Sequence, residues 1–133
     1  MISTIAIQNY RSILDLVIPL SRLNVITGEN GSGKSNLYKA LRLLAETAQG
    51  GVINSIASEG GLESTFWAGP ETISKAMKSG EVKVEGGPRK SVKRLKLGFA
   101  SEDFGYSISL GIPEPSLSAF SLDPEIKREV IWA

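Results

Sequence analysis

The chain has no cysteine and no histidine. Without cysteine there is no disulfide, no thiolate nucleophile and no zinc–thiolate site, a usage that suits a cytoplasmic protein. Without histidine the commonest general base and metal ligand are missing. Any metal is then expected to be a hard ion held by oxygens, such as Mg²⁺. Charge of one sign is also missing. Fifteen Lys and Arg against 14 Asp and Glu leave a net charge of +1, so no global field points to nucleic acid or to a membrane surface. No apolar run approaches the ~18 residues of a transmembrane helix. Asn9, Arg11 and Asp15 interrupt the N-terminal apolar stretches, which argues against a secretory leader. The 41% apolar content in 133 residues is enough to bury the core of one domain and excludes wholesale disorder.

What is present centres on one motif. Gly28-Glu29-Asn30-Gly31-Ser32-Gly33-Lys34-Ser35 fits G-x-x-x-x-G-K-[ST], the phosphate-binding P-loop. The run Leu23-Asn24-Val25-Ile26-Thr27 before it reads as a buried strand, and the run after it as an amphipathic helix. A P-loop needs that strand–loop–helix order. Gly28, Gly31 and Gly33 allow backbone angles that other residues resist. Successive N–H groups then point inward at phosphate oxygens, and the helix adds the positive end of its dipole. Lys34 is suited to the β- and γ-phosphates of ATP, and the Ser35 hydroxyl to Mg²⁺. The bland alternative is a glycine-rich turn capped by Ser35.

The rest of the chain reads as three segments of one domain. Residues 1–50 hold a β-hairpin, the P-loop strand and the first helix. Ile5 and Ile7 alternate, Asn9–Ser12 is a polar break, and Leu14, Leu16 and Ile18 alternate up to Pro19. The helix carries Leu37, Ala40, Leu41, Leu44, Ala45 and Ala48 on one apolar face. Lys39, Arg42 and Glu46 lie on the opposite, solvated side, and Gln49-Gly50-Gly51 ends the helix. Residues 51–80 read as a connector with short helices near Val52–Ile56 and Thr72–Lys78, plugging Phe66 and Trp67 into the core. Residues 81–133 read as an antiparallel β-subdomain. Val82 and Val84 open it, and a turn follows at Glu85–Pro88. Val92, Leu95, Leu97 and Phe99 come next, then a turn at Ser101–Gly105, then Tyr106, Ile108, Leu110 and Ile112. Ile126–Trp132 fits a strand or a short helix. The basic stretch Arg89, Lys90, Lys93, Arg94 and Lys96 invites a nucleic-acid reading. The preferred reading is a solvent-facing edge strand blunted by charge, since no aromatics interleave with these residues and nearby acids offset them.

A two-stranded preamble precedes the P-loop strand. The stretches Ile5-Ala6-Ile7-Gln8-Asn9-Tyr10-Arg11-Ser12-Ile13 and Leu23 to Leu37 together resemble the N-terminus of ABC-type, RecF/SMC-like AAA-family ATPases, in particular the stand-alone predicted ATPases of that class. The resemblance covers residues 1–48 specifically. It implies an α/β fold: a P-loop NTPase N-terminal lobe with an antiparallel β-subdomain and an incomplete central sheet. It implies ATP and Mg²⁺ bound at Gly28, Glu29, Asn30, Gly31, Ser32, Gly33, Lys34, Ser35 and Asn36. Lys34 would be catalytic and Ser35 the metal ligand. Arg11 lies where such families place residues beside the nucleotide. It also implies a head-to-head dimer closed by ATP, with DNA as a possible partner of the complete protein and no membrane partner.

The departures are as informative. After Ser35 no acidic residue follows four consecutive apolar residues, so a Walker B strand is not recognisable. Ser58-Glu59-Gly60-Gly61 stands too close to the P-loop to be a signature motif and reads as a loop. Gln49 merely ends a helix and is no Q-loop glutamine. The chain therefore reads as the N-terminal part of an ATPase, either a fragment or a truncated product, with little or no hydrolysis of its own. Three functions stay open: the ATP-binding portion of such an ATPase, acting in DNA repair and maintenance or in phage defence; a P-loop phosphotransferase; and a non-catalytic nucleotide-binding or assembly module. An incomplete sheet would leave an edge free to pair between chains. Self-association, by dimerisation or strand exchange, is accordingly expected. Light scattering over a concentration series tests it, and a clean monomer throughout would refute it.

Overall fold

The computed structural model describes residues 1–86, 91–115, 117, 119 and 123–133. Gly87 and Pro88 of the expected turn, and Arg89 and Lys90 of the basic stretch, lie outside the described residues. Among these residues nine elements follow in chain order: β1 (Ile2–Tyr10), β2 (Ile13–Pro19), α1 (Lys34–Thr47), α2 (Val52–Ser58), α3 (Leu62–Thr65), α4 (Lys75–Ser79), β3 (Arg94–Ser101), β4 (Gly105–Gly111) and β5 (Glu125–Trp132). The fold is α/β. Its five strands form one sheet in the order β2-β1-β3-β4-β5, antiparallel at every pairing. The N-terminal hairpin and the C-terminal meander thus share a sheet, joined where Ile5 faces Phe99 and Ile7 faces Leu97. The terminal segment Ile126–Trp132 is a strand. No parallel pairing occurs among the described residues, so the expected partial central sheet is not part of this layer.

Alternation places one apolar row of each strand on the same side of the sheet. Ile5, Ile7, Leu95, Leu97, Ile108 and Leu110 are buried there beneath α1, which contributes Leu37, Ala40 and Leu44. Val52 and Ile56 of α2, Leu62 of α3 and Phe66 extend this core at the hairpin end. The apolar face of α1 differs from the expected one. Leu43 is buried, while Ala45 and Ala48 are exposed. α2 packs against α1, and Leu43 belongs to the buried core that also holds Val52 and Ile56 of α2. Gly50, at φ +70, turns the chain from α1 into α2, as the Gln49–Gly51 stop signal suggests.

Two expected strands are corrected. Leu23–Thr27 has no strand pairing, and Leu23, Val25 and Ile26 are 80%, 77% and 52% exposed. The side chains of Ser21 and Asn24 take over local backbone bonding: Asn24 Oδ1 accepts from Ser21 N at 3.0 Å, and Asn24 Nδ2 donates to Ser21 O at 2.8 Å. Such local bonds compete with a ladder. They turn the chain away after Leu20 N donates its last sheet-like bond to Ser3 O. Val82 and Val84 are likewise outside any strand and exposed, as is Val92. The free side of β1 is filled by β3, whose ladder begins only at Arg94.

These placements carry different energetic weights. Leu97→Ala, at a fully enclosed core position, should cost about 2–5 kcal/mol in urea unfolding. Val25→Ala, in the unpaired approach to the loop, should change stability by less than ~0.5 kcal/mol. A large loss at Val25 would restore the buried strand.

Candidate functional site

The site forms where the β1–β2 hairpin tip, the loop before α1 and the end of α2 meet. The hairpin turns through Arg11-Ser12, with Asn9 at φ +61 and Arg11 at φ +48. Asparagine tolerates this left-handed region, but arginine enters it only at a cost. Surrounding bonds hold it there. Arg11 N donates to Thr65 O at 2.7 Å, and Trp67 N donates to Asn9 O at 3.2 Å. Phe66 bridges Tyr10 as a short ladder.

The Arg11 guanidinium reaches Glu59 at the end of α2. Nη2 donates to Glu59 Oε2 at 2.6 Å and Nε to the same oxygen at 3.0 Å. The Tyr10 hydroxyl, on a fully buried side chain, donates to that oxygen at 2.8 Å. Burial pushes the Tyr10 phenol up to about 12, Glu59 adding to the rise and Arg11 opposing it. The carboxylate of Glu59 and the Tyr10 hydroxyl hold the Arg11 guanidinium above its ordinary value. Arg11, Tyr10 and Glu59 thus form one connected polar unit between sheet and helices.

Around Gly28–Ser35 the chain wraps the Lys34 ammonium. Nζ donates to Gly28 O at 2.5 Å, Glu29 O at 2.6 Å and Ser32 Oγ at 3.3 Å. Gly33, at φ +96, is the N-cap of α1, and no side chain caps the amides that open the helix. Ser35 is therefore not the cap of a plain turn. At Gly28 a Cβ would lie 2.7 Å from Ser32 Oγ, so a larger residue there would need that serine side chain to turn aside. The expectation of unusual backbone angles fits Gly31 and Gly33 but not Gly28. Asn36 Nδ2 donates to Ser12 Oγ at 2.8 Å, fixing the start of α1 to the hairpin tip. Asn30 stands exposed at the loop apex.

A cleft of about 530 Å³ opens beside the loop. Lys34, Ser35, Tyr38, Lys39 and Arg42 of α1 line one wall, and Ser55, Ser58 and Glu59 the other. Lys39, Arg42 and Glu46 therefore border this cleft, and Arg42 lies 3.7 Å from Glu46. Reading Ser58–Gly61 as an idle loop missed Glu59, which caps α2 and faces both Arg11 and the cleft. Tyr10, Ser12 and Tyr38 were missed as well. The usable signal was the adjacency of Tyr10 and Arg11 at a strand end, where buried aromatic and charged groups meet only if a partner satisfies them.

Among known families, the AAA ATPase domain model matches residues 1–97. That match spans the hairpin, the loop, the helical layer and the start of β3. The chain belongs to the AAA ATPase domain family, and its function is of the nucleotide-binding, ATPase type. No curated protein matches it.

The Tyr10 shift carries a pH signature. The buried phenol keeps its proton to about 12, against 10.0 for an ordinary tyrosine. Between those values the folded state holds more protons than the unfolded one, so stability falls as pH rises; below 10 the contribution is complete. Urea midpoints across this range should fall more steeply for the wild type than for Tyr10→Phe. Parallel curves would remove Tyr10 as the source.

Proposed function

We propose that the chain is the ATP-binding portion of an ABC-type, RecF/SMC-like ATPase, with hydrolysis of MgATP belonging to the complete protein. The observation that carries this reading is the cradle around Lys34: an ammonium held by loop carbonyls at the uncapped start of α1, opening on a cleft of nucleotide size. Uncapped helix-opening amides and a neighbouring lysine favour a phosphate. The backbone of Gly28 to Ser35 would cradle the phosphates, Lys34 would exchange its carbonyl partners for β- and γ-oxygens, and Asn36 would keep the start of α1 in place. Ser35 would be the protein's ligand to Mg²⁺, which when bound neutralises charge on the phosphates. Among the described residues no three acidic side chains cluster to cage a metal. Mg²⁺ in such sites commonly takes only one or two protein ligands and completes its shell with phosphates and water.

Arg11 supports the same reading through position, because its guanidinium fixes Glu59 on the far wall of the cleft. The cellular role fits DNA repair and maintenance or phage defence, in the cytoplasm, with a head-to-head dimer as the working assembly. No helix among the described residues is long and apolar enough to cross a membrane.

One observation favours a second reading, a non-catalytic nucleotide-binding module. Both carboxylates lining the cleft are paired with guanidinium groups, Glu59 with Arg11 and Glu46 with Arg42. Glu59, bonded by Arg11 and Tyr10, is not free to orient an attacking water, whereas Glu46 is held only by a 3.7 Å contact to the exposed Arg42.

A fluorescent ATP analogue titrated with and without Mg²⁺ tests the proposal. Saturable binding should weaken at least tenfold in Lys34→Ala, the loss of ~1.4 kcal/mol or more from charge-assisted bonds. Equal binding by wild type and Lys34→Ala would sink the site. Hydrolysis by this chain that disappears in Lys34→Ala would exclude the non-catalytic module.

A further inference from the structure

The sheet has a second face, turned away from α1. Residues opposite one another in register project to the same side. One row on this second face crosses all five strands: Asp15, Gln8, Lys96, Ser109 and Arg128. The neighbouring row is nearly bare, with Ala6, Gly98 and Ser107 at its centre. Two hollows result. A cationic one of about 720 Å³ has Arg94, Lys96 and Arg128 on its walls and, among the described residues, no carboxylate. An apolar one of about 360 Å³ has Ala6, Gly98 and Ala100 on its floor.

Trp132 lines both hollows. Its indole lies over Gly105, where a Cβ would come within 2.2 Å of Cε2 and Cζ2. The ring is thus seated on bare backbone on one side, and the residue is 47% exposed. At the centre of the cationic row, Ser109 is 7% exposed and its hydroxyl has no hydrogen-bond partner among the described residues. A buried hydroxyl without a partner costs stability until one arrives. Arg94, Lys96 and Arg128 form no ion pair among the described residues, whereas Lys127 beside them is paired with Glu125 at 2.5 Å. Asp15 stands beyond Gln8 in the row; it lines the apolar hollow too, and with Glu71 it borders an adjoining hollow that Arg94 and Lys96 also reach.

We propose that this face binds single-stranded nucleic acid, with phosphates on Arg94, Lys96 and Arg128 and a base stacked on Trp132. A cationic track beside an aromatic platform is what unpaired strands require. Lys96 and Arg128 stand two strand spacings apart, about 10 Å, so the track runs across the strands. An acidic peptide would use the cations but leave the indole and the apolar hollow idle. A duplex keeps its base faces stacked inside and offers Trp132 nothing. The site shares no lining residue with the cleft beside the loop, so it stands independently of ATP binding.

The test is fluorescence anisotropy with a labelled oligothymidylate of about twelve nucleotides, within the site size of such surfaces. Running it in the Lys34→Ala chain separates it from the loop. Saturable binding is expected, with log K falling against log salt at a slope of about −2, as for three contacts to a single strand. Lys96→Gln and Arg128→Gln, both at exposed positions, should each flatten that slope by about 0.7. Trp132→Leu should weaken binding about five- to a hundredfold at unchanged slope. Lys78→Gln, on α4, should change nothing. The proposal falls if no saturable binding appears, if a duplex of equal length binds as tightly, or if Lys78→Gln weakens binding as much as Arg128→Gln.

Discussion

The molecule depends on how its hairpin tip is tied down. β1 ends in Tyr10, and the next residue takes a left-handed conformation that costs an arginine about 1–2 kcal/mol. Glu59 repays that cost by collecting the Tyr10 hydroxyl and two nitrogens of Arg11 on one oxygen. Bonds to charged groups contribute about 1.5–3 kcal/mol when partly buried, and here both partners are mostly enclosed. The tip therefore holds the sheet against α2. Through Ser12 and Asn36 it also sets where α1 begins. The loop that wraps Lys34 inherits its position from that chain of contacts.

Alternation was the part of the fold most legible in the sequence. Leu95, Leu97, Ile108 and Leu110 point inward at the positions their period of two assigns, because a one-residue slip would expose the whole set. Which strands become neighbours was not legible. β1 and β3 are separated by most of the chain, and nothing local in either encodes the match of Ile7 with Leu97. Leu23–Thr27 has the composition of a buried strand, yet burial needs a partner surface. β2 and β3 occupy both sides of β1, and the segment pairs with neither free edge of the sheet, β2 or β5. Leu43 was illegible for a similar reason: it joins a core that also holds Val52 and Ile56 of α2, an element outside the helix's own periodicity.

The site was legible where chemistry is written in consecutive residues and illegible where it is assembled across space. Gly28 to Ser35 carries its own pattern, so loop, lysine and helix start could be read directly. Glu59 joins the site from the end of a short helix, 48 residues from Arg11. Only the buried Tyr10 hydroxyl and the guanidinium beside it demand such a partner. The far face of the sheet shows the same division. Arg94 and Lys96 belong to a basic run that is ambiguous by itself, and Arg128 and Trp132 acquire meaning only when β4 places them beside it.

The architecture also sets what phosphate binding has to overcome. The approach segment 21–32 is exposed throughout, so the loop is anchored mainly at its far end, by Gly33 entering α1 and by Asn36 on Ser12. Lys34 supplies the missing order from within by bonding to the carbonyls of Gly28 and Glu29. In the proposed reading a bound phosphate would replace those bonds. Such an exchange would be favourable because phosphate oxygens accept from an ammonium more strongly than neutral carbonyls do, and because the first amides of α1 would gain an acceptor at the same time. Removing Lys34 from its carbonyls loosens the same loop that the phosphate must order, at about 1–2 kcal/mol of backbone entropy per residue fixed. In that reading, how firmly Leu23 to Thr27 is held would contribute to affinity alongside the contacts to the phosphates. A surface that buries Leu23, Val25 and Ile26 would meet part of that entropy cost in advance and strengthen binding without touching the ligand.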